Sequence, residues 1–274
     1  MRLFVAVLVT GLATGAVWNA SADSKPGSRV QQAQTVSTKS REPVLVELFT
    51  SEGCSDCPPA DNLLAVLDRK QPFASADIIA IEEHVDYWDQ QGWRDPFSSS
   101  KWTQRQNGYA FALHTGSTYT PEMVVDGTQG FIGSRGPAAK AAIEKAAENQ
   151  KAKIEIGEVE PPTEKGVTLK IAVEKLTNAS PKDTAEVVLG ITESGLHSAV
   201  SSGENAGHEL QHSAVLREMK VIGVAGKNGQ DGFTGEEPVK LDAKWNLENL
   251  RAVVFVQEKK SRRVLGAAEV QLKN

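Results

Sequence analysis

Hydrophobic positions fall into two rhythms along this chain. In the first half, short and nearly unbroken apolar runs alternate with stretches of helical spacing. Val44-Leu45-Val46-Glu47-Leu48-Phe49 has the pattern of a strand buried on both faces. Pro58-Pro59 suits a first helical turn, and Leu63, Leu64, Val66 and Leu67 give the helix behind it a buried face. Ile78-Ile79-Ala80-Ile81 predicts a second buried strand. A helix is expected from about Ser98 to Ala112. A strand then runs from Pro121 to Val125, turns at Asp126-Gly127 and returns through Gln129 to Ile132. The Ala-rich stretch from Pro137 to Gln150 predicts a closing helix.

Beyond Lys151 the rhythm changes. Apolar and polar residues alternate in short runs: Lys153 to Val159, Val167 to Val173, Val187 to Thr192, Val215 to Ile222, Arg251 to Gln257 and Val264 to Leu272. Turn residues separate them at Pro161-Pro162, Asn178 to Pro181 and Gly226 to Gly235. Such spacing predicts a β-sandwich-like domain over residues 151–274.

The N-terminus has a different character. Arg2 precedes an uncharged stretch with an apolar core from Leu3 to Val17, ending at the small-x-small pattern Ala20-Ser21-Ala22. That is a signal-peptide pattern over residues 1–22, with Asp23 as the first mature residue. Thr10, Gly11, Thr14 and Gly15 dilute it as a spanning helix, so no stable membrane insertion is expected after cleavage. Residues 23–42, rich in Ser, Gln, Thr and Lys, read as a disordered linker. The expected location is the periplasm or outside the cell, where disulfides persist. With 30 Lys+Arg against 35 Asp+Glu and no basic run, the chain has no electrostatic footprint for nucleic acid.

The two cysteines carry the readable chemistry. Cys54-Ser55-Asp56-Cys57 lies between a predicted strand and a predicted helix, the context in which this spacing reads as thioredoxin-like. A bridge between them closes almost no loop, so it points to chemistry more than to structural bracing. The expected architecture is therefore an α/β thioredoxin-like domain over residues 43–150, followed by the β-sandwich-like domain. Cys54 would be the attacking thiolate, favoured by the helix N-terminus, and Cys57 the resolving thiol. Asp56 opposes thiolate formation and predicts a Cys54 less acidified than in strong oxidants. A clip without turnover is the competing reading.

Tyr119-Thr120-Pro121 precedes an apolar strand, the position at which a cis-proline lies against such a dithiol. Pro121 is thus a third catalytic candidate. Thr120, Tyr87, Trp88 and Trp93 are candidate substrate contacts, although aromatics in such a loop also close a satellite core. No cofactor is expected, and the partner would be a protein or small thiol or disulfide. His84 with Cys54 and Cys57 forms an alternative copper site. Half of a zinc site is also conceivable, but no second cysteine pair exists to complete it. His208 and His212 read as loop or strand-edge residues, because Gly203 and Gly207 flank them.

The run from Val46 to Asp61, including Glu52-Gly53-Cys54-Ser55-Asp56-Cys57-Pro58-Pro59, resembles a family of secreted bacterial proteins known as domain of unknown function number twelve twenty-three. The resemblance continues through His84-Val85-Asp86-Tyr87-Trp88-Asp89, Gly92-Trp93, Asp95-Pro96-Phe97 and Tyr119 to Gly127. It extends to Asn205-Ala206-Gly207, His212 and Val215-Leu216-Arg217. It implies a thioredoxin-like domain and a β-rich domain, and no known reaction. One departure is Glu82-Glu83, where small or apolar residues are expected; an acidic pair there would make the surface beside His84 more negative. The functional expectation is a thiol–disulfide oxidoreductase or redox-responsive protein. The alternatives are a non-catalytic binding or assembly module and a copper-handling protein.

Overall fold

The structure, a computed structural model, describes residues 41–163, 165–225 and 231–272. The expected signal peptide, and the linker up to residue 40, lie outside the described residues.

Strand β1 (Glu42–Thr50) leads through a loop into helix α1 (Pro58–Lys70), and β2 (Ala76–His84) pairs parallel to β1. Helix α2 (Ser100–Ala112), the hairpin β3 (Glu122–Val125) and β4 (Gln129–Ile132), and α3 (Gly136–Ala146) follow. Each falls where the apolar runs predict it. The remainder is strand: β5 (Ile154–Glu158), β6 (Gly166–Val173), β7 (Ala185–Glu193), β8 (Leu196–Ala199) and β9 (Glu209–His212). Then come β10 (Val215–Val224), β11 (Phe233–Lys240), β12 (Leu250–Glu258) and β13 (Val264–Gln271).

The pairing of these strands corrects the expected fold class. The chain is mostly β, and a single mixed eight-stranded sheet runs through both halves in the order β13-β12-β7-β10-β2-β1-β3-β4. There is no helix-rich thioredoxin-like α/β unit beside a separate β-sandwich. The join is at β2 and β10, which run parallel, with Val215 opposite Glu82 and the Glu82 N–H donating to the Ala214 carbonyl at 2.8 Å. Strands β11, β6 and β5 form a small antiparallel sheet, and β8 pairs only with β9.

The cores explain why the two halves fuse. On one face of the large sheet, Leu45, Ile79 and Ile81 pack with Trp102 of α2 and with Val188, Leu216, Val253 and Phe255 from the second half. The opposite face is covered in two parts. Helices α1 and α3 bury Val44, Val46, Leu48, Ile78 and Ala80, while the small sheet buries Val187, Leu189, Ala252 and Val254. Neither half could keep its apolar face dry alone.

Candidate functional site

The loop from Ser51 to Cys57 joins β1 to α1 and is drawn tight by local bonds, Cys54 N–H to the Ser51 carbonyl and Cys57 N–H to the Cys54 carbonyl. Cys54 and Cys57 form a disulfide, with their Cα atoms 5.4 Å apart. Cys57 is the N-cap of α1 and Pro58 opens the helix. Both cysteines are buried, at 1% and 0% exposure, while Ser55 and Asp56 between them face solvent.

The second half of the chain ties the disulfide loop down. Asn205 Nδ2 donates to the carbonyls of both Glu52 and Cys54, each at 2.9 Å. Glu204 accepts the Ser55 N–H at 3.1 Å, and Ser202 Oγ donates to the Gly92 carbonyl at 2.6 Å. Gly92 and Gly203 meet backbone to backbone, both in the left-handed region, and a Cβ at Gly92 would lie 3.2 Å from the Gly203 Cα. A groove of about 700 Å³ runs along the start of α1, between Ser55, Pro59 and Asn62 and the residues Glu204, His208 and Gln211, and neither cysteine lines it.

Behind the loop lies a sealed cluster of acids and imidazoles. His84 ends β2 and His212 ends β9, and their ring centroids are 4.6 Å apart. His84 Nδ1 bonds Asp95 Oδ2 at 2.7 Å. His212 Nε2 bonds Glu52 Oε1 at 3.1 Å. Both remaining ring nitrogens face Glu82 Oε1, that of His212 at 2.8 Å and that of His84 at 3.4 Å. Trp93 Nε1 donates to the other Glu52 oxygen at 2.7 Å, and the Ser213 N–H to the other Glu82 oxygen at 2.9 Å. Phe97 packs edge-on against both imidazole rings.

Charge organises this cluster. Burial disfavours ionisation of Glu82, but the two imidazoles outweigh it and hold its carboxyl down at about 2. For His212, burial is outweighed by Glu82 and Glu52, and its imidazolium persists up to about 9. Burial of His84 is likewise outweighed by Asp95 and Glu82, which push it well up. Asp61 of α1, bonded by Thr50 Oγ1 at 2.6 Å, is raised to about 7 by burial and by the neighbouring Glu82 charge.

The family described as "Protein of unknown function (DUF1223)" matches residues 45–257, which include the disulfide loop, the imidazole cluster and the tethering segment. The chain belongs to this family. A crystal structure of a protein from Agrobacterium tumefaciens is similar, at 23% identity and a TM-score of 0.61 over 86% of this chain and 97% of that one. At that identity the likeness speaks to the fold alone. No curated protein matches the chain.

The DUF1223 motifs quoted above converge here. The Thr120–Pro121 bond is cis, and Pro121 is buried beside Gly133 and the helix α1 residue Ala60. Trp88 ties this turn to the disulfide loop: its Nε1 donates to Thr120 Oγ1 at 2.8 Å, and its Cβ lies 3.1 Å from where a Gly53 Cβ would stand. Trp88 also packs against the small core of Phe49, Val85, Tyr109 and Val124. Tyr87 is 37% exposed and hydroxyl-bonded to Gln106, its phenol pushed up to about 12 by burial.

Two placements differ from expectation, and a third adds to it. His84 turns one nitrogen to Asp95 and the other toward Glu82, and the cysteines bond each other, so Cys54, Cys57 and His84 do not gather as ligands. His212 ends a strand of a two-stranded sheet, within the loop or strand-edge expectation, but its side chain is buried and bonded to Glu82. The acidic pair is no surface feature, since Glu82 and Glu83 are both fully buried on opposite faces of β2. Sequence reasoning missed Glu52, Glu82, Asp95 and His212 as one constellation. The available signal was that Glu52, His84, Asp95 and His212 all fall inside the family motifs.

Proposed function

We propose that this protein is exported and undergoes thiol–disulfide exchange at Cys54 and Cys57, as a redox-responsive protein acting with a protein or small thiol. The observation that carries the reading is the position of the disulfide: it joins the loop after β1 to the N-cap of α1, in a loop whose carbonyls Asn205 holds.

In this scheme the contacts of Glu204 and Asn205 with the disulfide loop open, since Cys54 is buried, and an incoming thiolate then attacks Cys54 Sγ. The Cys54–Cys57 bond breaks and its electron pair leaves on Cys57 Sγ, where the helix N-terminus favours a thiolate. A second thiol then attacks the mixed disulfide and releases Cys54. Two external thiols have become one disulfide, and the protein has gained two electrons and two protons. Run in reverse, Cys54 attacks a substrate disulfide and Cys57 resolves the intermediate. Trp88 flanks the disulfide loop at Gly53 and links it to Thr120. Because Asn205 holds the carbonyls of Glu52 and Cys54, rearrangement of the loop on reduction is transmitted to segment 202–208.

Equilibration in dithiol redox buffers, followed by thiol alkylation and intact mass measurement, tests this. The expected result is a two-electron transition in folded protein. A midpoint of about −120 mV would mark an oxidant and about −270 mV a reductant. Insulin reduction lost in Cys54→Ser would add turnover. A disulfide that resists dithiothreitol until denaturant is added would overturn the proposal.

A further inference from the structure

The imidazole cluster has a feature that the dithiol chemistry does not use. Each histidine spends one ring nitrogen on its own carboxylate, His84 Nδ1 on Asp95 and His212 Nε2 on Glu52. Each turns the other nitrogen toward the same oxygen, Glu82 Oε1. The ligand atoms of Glu82, His84 and His212 lie within 4.8 Å of one another, and all three residues are buried. Carboxylate–imidazole pairs whose free nitrogens converge on one point are the arrangement that orients histidine ligands around a metal.

A second observation points the same way. His84 Nε2 is sealed from solvent and makes no hydrogen bond among the described residues. Buried polar atoms in native interiors are nearly always partnered, so this one is aimed at something. It sits 3.4 Å from Glu82 Oε1. Donors around a tetrahedral zinc ion with bonds of about 2.0–2.1 Å are separated by about 3.3 Å, so that edge already has the required length. The His212–Glu82 edge, at 2.8 Å, needs to open by about half an ångström. Charge agrees as well. Glu52, Glu82 and Asp95 make no ion pair with any lysine or arginine among the described residues; their charged partners are the two histidines.

We infer that Glu82, His84 Nε2 and His212 Nδ1 bind one divalent first-row transition-metal ion, with Asp95 and Glu52 orienting the two imidazoles. Two imidazoles and one carboxylate are a donor set used by zinc sites that keep a fourth position, and by non-haem Fe(II). Thiolates take no part. The site is distinct from the exchanging pair and stands or falls independently of it.

The test starts with full-length protein purified without chelator and analysed for metals. Stripped protein is then titrated separately with Zn(II), Fe(II) under anaerobic conditions, and Co(II). One ion per chain is expected, and the metal found on isolation distinguishes zinc from iron. The Co(II) form should show visible d–d bands. His84→Gln and His212→Gln should each weaken binding by about 100-fold or more, and Asp95→Asn by about 10–100-fold, as an orienting partner does. The Cys54→Ser/Cys57→Ser double variant should bind as the wild type does. X-ray absorption at the metal edge reads the ligands without any substitution, and should show nitrogen and oxygen but no sulfur. Folded, stripped wild-type protein that binds none of the three ions more tightly than millimolar would overturn the inference. Sulfur in the coordination shell, or undiminished binding in both histidine variants, would do the same.

Discussion

Glu82 and Glu83 are neighbours in β2, fully buried, and face opposite sides of the sheet, where two buried polar clusters solve the same problem differently. On the α2 side, Glu83 and Glu47 share Arg105, whose Nε is 3.1 Å from Glu83 and 2.6 Å from Glu47. Tyr109 donates its hydroxyl to Glu47, and Gln257 bonds Tyr109 at 2.8 Å and Arg105 at 3.2 Å. Burial, and Glu47 beside it, push the Glu83 carboxyl well up, while Arg105 opposes them. That cluster carries its own permanent cation and stitches α2 to β12. On the α1 side, Glu52, Glu82 and Asp95 pair with no lysine or arginine among the described residues. These carboxylates face two imidazoles whose free nitrogens converge, a set that can exchange protons for a metal. One cluster holds a fixed cation from the chain itself, whereas the other converges two imidazoles on one carboxylate oxygen.

The harshest way to break this contrast is to remove the fixed cation. Arg105→Met leaves two acids buried without their partner, and stability to chemical denaturation should fall by about 3–5 kcal/mol. A loss below about 1 kcal/mol would mean that the cluster does not depend on Arg105.

Metal dependence sharpens the contrast from the other side. At zinc 100-fold above its dissociation constant, the folded state should gain about 2.7 kcal/mol over chelated protein. His84→Gln should lose that increment. Arg105→Met should keep it, because the clusters lie on opposite faces and share no side chain. An increment that vanished in Arg105→Met would merge the two clusters into one.

How much of this was legible depends on the range of the interactions. Local elements were readable: the apolar run at Val44 to Phe49 and the Pro58-Pro59 helix start are properties of adjacent residues. The pairing of β2 with β10 was not, because it rests on a single register pair, Val215 and Glu82, far apart in the chain. β11 was hidden because Gly235 read as the end of a turn and Pro238 interrupts the run, although both are tolerated at the edge of a small sheet. The site failed in the same manner. Acids are rarely buried without partners, so Glu82-Glu83 read as surface. The partner that buries Glu82 is His212, 130 residues away. The dithiol was legible because its two members are neighbours.

Removing the disulfide tests the smaller local contribution. Cys54→Ser/Cys57→Ser frees a loop of about four residues, worth about 2 kcal/mol on chain-entropy grounds. Amide exchange should quicken in segment 202–208, while the zinc increment stays. If that segment kept its protection, the tethering contacts would be independent of the disulfide.

The finest distinction concerns Trp93, which sits where the disulfide loop meets the imidazole cluster. Its indole N–H bonds Glu52 Oε2, while Glu52 Oε1 orients His212. As a strut, it should be sensitive to the loss of that one donor. Trp93→Phe keeps the Cβ contact with Gly203 but leaves a buried carboxylate oxygen without its partner. Stability should fall by about 1.5 kcal/mol, the scale of a hydrogen bond to a charged acceptor. Zinc affinity should fall by less than in Asp95→Asn, since Trp93 acts through Glu52 rather than directly on an imidazole. A substrate platform would behave otherwise: exchange with a protein disulfide would slow while stability and metal affinity stayed unchanged. Measured together, the three readouts assign Trp93 to the buried cluster or to the surface above it.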